Sequence, residues 1–273
     1  MRRALHVAFA LGLGLVVTGC IHGNLAMPFR ATVDETRPLA ANGLLELENT
    51  NGSVRLVAWD EAKVRIEATK RAASERALEE LKVEIEGEGD RVSVHTRYPR
   101  PHWLGNAGGV EYRVSVPRGA RVRVTTVNGR VEVGGVSGSV HASTVNGSVD
   151  LTEVGGPIEA SAVNGSVEVD VARVDASASS KVTTTNGSVR LTLPRDTNAD
   201  VEAHTVNGSV SCDFDLADAQ KSRRRLEGRI GSGGARFELG TVNGSATVDR
   251  GLSSAASATS HPPAEAAPER ATR

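Results

Sequence analysis

The pair Asn-Gly recurs at Asn42, Asn51, Asn128, Asn146, Asn164, Asn186, Asn207 and Asn243, and six of these continue as Asn-Gly-Ser. A fixed internal period constrains a fold more than any local motif does, because each repeat is one supersecondary unit that must bury its apolar face on the next. From Asn128 the steps are 18, 18, 22, 21 and 36 residues, the last close to two repeats or to one repeat plus a loop. Second turns fall inside the units, at Gly134-Gly135 and at Gly155-Gly156-Pro157. Each unit thus holds two short strands. They alternate as half-buried strands do: Val131 with Val133, Val140 with Ala142, Val149 with Leu151, Val167 with Val169 and Val189 with Leu191, while Glu132, His141, Asp150 and Glu168 take the opposite face. Eight residues are aromatic and none lies between Arg113 and Asp213, so the predicted interior is thin and filled by small aliphatic side chains.

Two architectures satisfy this spacing. In an antiparallel meander Asn-Gly is a type I′ hairpin turn, which needs positive φ at both central residues. In a parallel β-solenoid each unit is one coil, and the same corner repeats directly above itself about 4.8 Å further on. Near identity of the whole unit Thr-Val-Asn-Gly-Ser-Val favours the second, because equal residues stacked on equal residues form side-chain ladders. The predicted fold class is therefore all-β: a parallel β-solenoid of about 18–22-residue coils with one short capping helix. The asparagines at 51, 128, 146, 164, 186, 207 and 243 are its structural turn residues.

At the N-terminus, Arg2 and Arg3 precede an apolar run from Ala4 to Val17, shorter than the roughly 20 residues a membrane-spanning helix needs. This reads as a signal peptide over residues 1–19. The run ends Val17-Thr18-Gly19-Cys20, which resembles the lipobox of bacterial lipoproteins. That resemblance implies lipidation of Cys20 and a mature chain held on a membrane by its acyl chains. Ile21, in place of an aspartate, resembles the default of export to the outer membrane if the cell is Gram-negative. After Cys20, the single remaining thiol is Cys212, which has no intramolecular disulfide partner and reads as a small core residue.

Residues 20–38 have no clear period and read as a tether; 39–118 form a β-rich part with one helix, 119–250 the repeats, and 251–273 an Ala/Ser/Pro-rich disordered tail. Within the second segment, Leu44 to Glu48, Ser53 to Ala58, Lys63 to Thr69, Lys82 to Glu86, Arg91 to Thr96 and Val110 to Val116 read as strands, with a Pro/Gly loop from Pro99 to Gly109. Ser74 to Lys82 reads as the helix, N-capped by Ser74, and a solenoid needs such a cap because a bare terminal coil recruits other chains.

The motif Asn51-Gly52-Ser53-Val54, the phrase Val64-Arg65-Ile66-Glu67-Ala68, the strand Tyr112-Arg113-Val114-Ser115-Val116-Pro117 and the serial Thr-Val-Asn-Gly-Ser-Val units together resemble one family. It is the bacterial putative-adhesin, β-strand-repeat family of unknown function, similar in architecture to adhesin-head domains. Gly228-Arg229-Ile230-Gly231-Ser232-Gly233-Gly234 resembles its C-terminal segment, and the likeness covers about residues 39 to 250. The resemblance implies a β-solenoid in the cell envelope and no catalytic residues.

With 32 Lys and Arg against 33 Asp and Glu, the charge balance gives no case for nucleic acid as a partner. The turns lack the aspartates of a calcium-binding repeat, so neither metal nor cofactor is expected. Thr126, Thr144, Thr205 and Thr241 occupy equivalent places and read as a structural ladder, the alternative being an outward rank, which is broken at Ala162. A run of three arginines, Arg223, Arg224 and Arg225, is the first choice for contact with an anionic partner. Trp59 and Trp103 are further contact candidates, with Trp59 expected to pack against the helix. The functional expectation is a lipid-anchored, non-catalytic envelope scaffold or adhesin-like surface, whose partners are the membrane and an envelope polysaccharide or protein. The alternatives are a polysaccharide-active β-helix enzyme, for which Asp150, Glu153, Glu159, Glu168 and Asp170 are the available carboxylates, and a self-associating, stress-linked module.

Overall fold

The structure, a computed structural model, describes residues 27–98 and 108–251. The signal peptide, Cys20, Trp103 and the tail beyond Gly251 lie outside the described residues. Strands β7 (Arg121–Asn128) and β8 (Val131–Gly134) form one rung, bent at Asn128-Gly129. The rungs that follow are β9 (Val140–Asn146) with β10 (Val149–Val154), β11 (Ile158–Asn164) with β12 (Val167–Val171), and β13 (Ser179–Asn186) with β14 (Val189–Leu193). First strands pair with first strands and second with second, always parallel and with the corners in register, so that Asn128 meets Asn146, Asn146 meets Asn164, and Val149 meets Val167, the register shifting once between Leu151 and Val154. The meander is thereby excluded. Its type I′ turn is absent too, since Glu153 and Asp218 are the only non-glycine residues with positive φ among those described.

The described residues are all-β apart from one short helix, and their strands make one large, mostly parallel sheet. The two ladders join through β1 (Phe29–Glu48), whose first half runs antiparallel to β3 (Lys63–Ala72) and whose second half runs parallel to β7. Residues 29–38, assigned to the tether by sequence, are thus a strand paired from Phe29↔Ala72 to Pro38↔Lys63. Their half-buried positions are Phe29, Ala31, Val33, Glu35 and Arg37. The last two form an ion pair at 2.5 Å, which hides the alternation from a reading of hydrophobicity alone.

Rung order departs from chain order at both ends. The second half of β1 and β2 (Val54–Trp59) form a rung lying between β7/β8 and the pair β5 (Gly89–Arg97) and β6 (Gly109–Pro117). At the other end, β19 (Ala235–Asn243) and β20 (Ala246–Arg250) lie between β13/β14 and the earlier rung β15 (Ala199–Asn207) and β16 (Val210–Cys212). The 36-residue step from Asn207 to Asn243 is one rung plus the hairpin β17 (Leu216–Lys221) and β18 (Arg225–Ile230), with β18 antiparallel to β15. Antiparallel strands also flank the first end, where β4 (Lys82–Glu86) lies along β5 and β3 along β6. The helix, α1 (Glu75–Glu80), contacts β3 and β1 beside this end. Ser74 caps it by accepting from the Ala77 amide at 3.1 Å, and the Lys70 ammonium donates to the carbonyls of Leu78 and Leu81.

Inside, Val124, Ala142, Ala160, Val182, Leu239 and Ala203 come from one ladder, and Val133, Leu151, Val169, Leu191 and Val248 from the other, all buried. The buried rings lie outside the run Arg113 to Asp213: Tyr112 on β6, Phe214 just after β16 and Phe237 on β19. Tyr112 shares a 2.6 Å hydrogen bond with Thr96, and burial pushes its phenol well above the ordinary range.

Candidate functional site

All seven turn asparagines align on one corner. Each amide nitrogen donates to the neighbouring amide oxygen: Asn128 to Asn51 at 2.7 Å, Asn146 to Asn128 at 2.8 Å, Asn164 to Asn146 at 2.9 Å, Asn186 to Asn164 at 2.9 Å, Asn243 to Asn186 at 2.8 Å and Asn207 to Asn243 at 2.9 Å. The glycine after each asparagine follows from the stacking distance. A Cβ on Gly165 would lie 1.9 Å from the Gly147 carbonyl oxygen, and its φ of +157° is one that L side chains rarely adopt.

The threonine rank points inward, correcting the outward reading. Thr126, Thr144, Thr184, Thr205 and Thr241 are all buried, since each shares the parity of the core residue two places before it. Four of the hydroxyls donate to a glycine carbonyl of the adjacent rung: Thr144 to Gly129 at 3.0 Å, Thr184 to Gly165 at 2.7 Å, Thr205 to Gly244 at 2.9 Å and Thr241 to Gly187 at 2.8 Å. The Thr126 hydroxyl is buried without a partner, and the Gly52 carbonyl at the equivalent place accepts from the Asn49 amide instead. The same alternation turns Val127, Val145, Val163, Val206 and Val242 outward, exposed beside the asparagines, and parity breaks only at the asparagine corner that follows.

The arginine run lies in the turn between β17 and β18. Its backbone closes the last rung, with the Arg224 carbonyl accepting from the Thr205 amide at 2.9 Å and the Arg223 carbonyl from Val210 at 3.0 Å. Arg225 is engaged by Glu202 at 3.0 Å and Glu227 at 3.3 Å. The nearby 410 Å³ hollow combines Asp200, Glu202, Asp218 and Glu227 with Arg229 and Arg236, so acid exceeds base there. Trp59 is half-buried, donates to the Lys63 carbonyl at 2.8 Å and carries the Lys63 ammonium 5.7 Å from its ring centre. Cys212 is half-buried against the core, and burial raises its thiol pKa. Of the carboxylates weighed for catalysis, Asp150 and Glu168 are register neighbours on one outer face, and Glu159 lies on the other ladder beside His141.

The surplus of positive charge gathers at the opposite end of the stack, in a place that sequence reading missed. On the outer face of β1, β3, β6, β2 and β8 lies a 530 Å³ hollow containing Arg30, Arg55, Arg71, Arg113 and Arg130. Its carboxylates are Glu67, Glu111 and Glu132. Arg55 pairs with Glu132, and this hydrogen bond, ahead of the further charge of Arg130, holds the Glu132 carboxyl below its ordinary range. Arg71 meets Glu111 at 3.2 Å, Arg130 meets Asp150 at 3.2 Å, and Glu67 is taken by Arg65 at 2.8 Å. Among the described residues, Arg30 and Arg113 have no such partner. The signal available in sequence was the outward parity of Arg55 in Val-Arg-Leu and of Arg113 in Tyr-Arg-Val, which pairing alone brings together.

The sequence profile described as Toastrack DUF4097 matches residues 45–249. Comparison with curated proteins gives no match. Among solved structures, the chain is similar to a "putative cell adhesion protein" from Clostridium sporogenes, at 8% identity over 81% of this chain and 100% of that one, with a TM-score of 0.44. It is also similar to a "putative lipid binding protein" from Parabacteroides distasonis (11% identity, 81% and 96% covered, TM-score 0.36) and to a "putative adhesin" from Bacteroides fragilis (9%, 80% and 96%, TM-score 0.29).

Proposed function

Because the chain belongs to the Toastrack DUF4097 family, we propose that it is a lipid-anchored parallel β-solenoid of the bacterial envelope, built of 18–22-residue coils, that displays a rigid, non-catalytic, adhesin-like binding surface. The observation carrying this reading is the stack itself. Its interior is filled largely by aliphatic side chains, whereas the outward positions of both ladders are rich in charged and polar side chains, as a display platform requires. Stacking also fixes the outward side chains at a regular spacing, so recognition costs little ordering on the protein side.

The lipobox supplies the attachment. Phe29, where β1 begins, lies nine residues after Cys20, a span of at most about 32 Å. The first end of the stack is thus held near the lipid surface. Replacing Cys20 by serine and fractionating cells tests this: the expected result is release from the membrane fraction, and full retention would contradict the anchor.

A further inference from the structure

We propose that the arginine-lined hollow at the first end of the stack is a binding site for a saccharide carrying two phosphate groups, a ligand class that deepens the display reading and rests on it. Two register pairs place like charges directly opposite each other, Arg55 against Arg113 and Arg30 against Arg71. Such juxtapositions destabilise a sheet unless carboxylates offset them. In each pair a carboxylate neutralises one member, Glu132 for Arg55 and Glu111 for Arg71. One guanidinium without an ion pair remains at each end of the hollow: Arg30, and Arg113, whose register neighbour Glu67 is engaged by Arg65.

The strand register sets their separation. Arg113 stands level with Glu67 on β3, and Arg30 stands level with Arg71, four residues further along the same strand. That is about 13 Å along the strand at 3.3 Å per residue, and because β1 and β6 flank β3 it combines with about 10 Å across two strand spacings to about 16 Å between the two backbones. Between them, Thr32, Thr69 and Ser53 line the hollow together with Glu111, offering donors and acceptors to hydroxyl groups and no apolar platform. Guanidinium at both ends suits phosphate, which it grips with two parallel hydrogen bonds. A polyhydroxylated centre suits a sugar. The volume of 530 Å³ lies within the range of small-molecule sites. Arg30 is the second residue of β1, so under the anchored reading the hollow opens close to the lipid headgroups.

The test is calorimetric titration of the full chain, purified in detergent, with inorganic phosphate, with a hexose bisphosphate and with the same hexose lacking phosphate. We expect the bisphosphate to bind at least about tenfold more tightly than phosphate and the bare hexose not to bind. Arg113→Gln and Arg30→Gln should each weaken the bisphosphate about tenfold or more, as expected for loss of a charge-assisted contact. Thr69→Val should weaken it a few-fold, and Arg223→Gln with Arg224→Gln should leave it unchanged. Both guanidinium variants remove exposed, unpaired side chains, and an unaltered thermal midpoint confirms that they fold. Equal affinity for phosphate and bisphosphate, insensitivity to Arg113→Gln, or loss through Arg223 and Arg224 would each overturn the assignment.

A second arm identifies the source of the ligand. The Cys20→Ser chain is spun with phosphatidylcholine vesicles lacking or containing a bisphosphorylated glycolipid. Capture only by the latter marks a headgroup, and binding of the soluble bisphosphate without capture marks a free saccharide. Because neither arm depends on lipidation, failure of the anchor and failure of the site give different results.

Discussion

Replacing Thr126 by valine and replacing Thr144 by valine should move stability in opposite directions, although the two threonines occupy equivalent places in neighbouring rungs. Both are almost fully buried, 1% and 4% exposed, and valine matches threonine in shape and in strand preference. The Thr144 hydroxyl donates to the Gly129 carbonyl at 3.0 Å. Removing it deletes a bond worth about 1 kcal/mol net and leaves the carbonyl short of that donor. The Thr126 hydroxyl has already given up water without gaining a partner, so its removal should return about 1 kcal/mol. The gap between the variants is then about 2 kcal/mol, which for a domain of this size is about 4–8 °C in thermal midpoint. Scanning calorimetry and urea denaturation on the same preparations measure it, with unchanged urea slopes showing that the native state is what differs. Thr184→Val and Thr241→Val should follow Thr144→Val, because their hydroxyls make the same bond. A Thr126 variant destabilised as much as the Thr144 variant would refute this reasoning.

Gly165→Ala places a methyl 1.9 Å from the Gly147 oxygen and should cost about 4 kcal/mol or more, read as loss of soluble, strand-rich protein. Ending the chain at Gly233 removes β19 and β20, which connect β15 and β16 to the rest of the parallel stack. Limited proteolysis should then digest residues 199–230 while sparing those before Leu193, whereas protection of both segments would count against the interleaved order. The Lys181 ammonium, bonded to Glu238 at 2.7 Å, holds the Glu238 carboxyl below its ordinary range. The pair's contribution is therefore complete above the unfolded carboxylate range and disappears as pH falls through the folded value. Glu238→Gln should cost about 0.2–1 kcal/mol at neutral pH and nothing in strong acid, as measured by denaturation at both.

The parallel stacking was legible because whole units, and not only their turns, repeat. Seven asparagines singled out for their spacing do form one continuous amide ladder. The inward threonines were misjudged, although parity held the signal: Thr126 falls two places after Val124, and Thr241 two after Leu239. Rung order was not. Asn243 fits against Asn186 as well as against Asn207, so nothing within a rung says that the last one slots between two earlier ones. The length and pairing of β17 and β18 decide it. The strand at residues 29–38 stayed hidden because Glu35 and Arg37 satisfy each other on its half-buried side. The arginine-lined hollow draws on residues 30 to 132, and its charge surplus exists only after five strands have come into register.

The positions of the two terminal coils bear on how such a chain can change in length. Many repeat proteins gain modules by copying one at either extremity, where a free surface receives it. Here the coils nearest both chain ends are each clasped on two sides, between β5/β6 and β7/β8 and between β13/β14 and β15/β16. A copy appended to either end of the gene would find no vacant seat. Duplication within the middle section, from Gly129 to Leu193, lengthens the body while leaving both clasps intact, so differences in size among relatives should concentrate there.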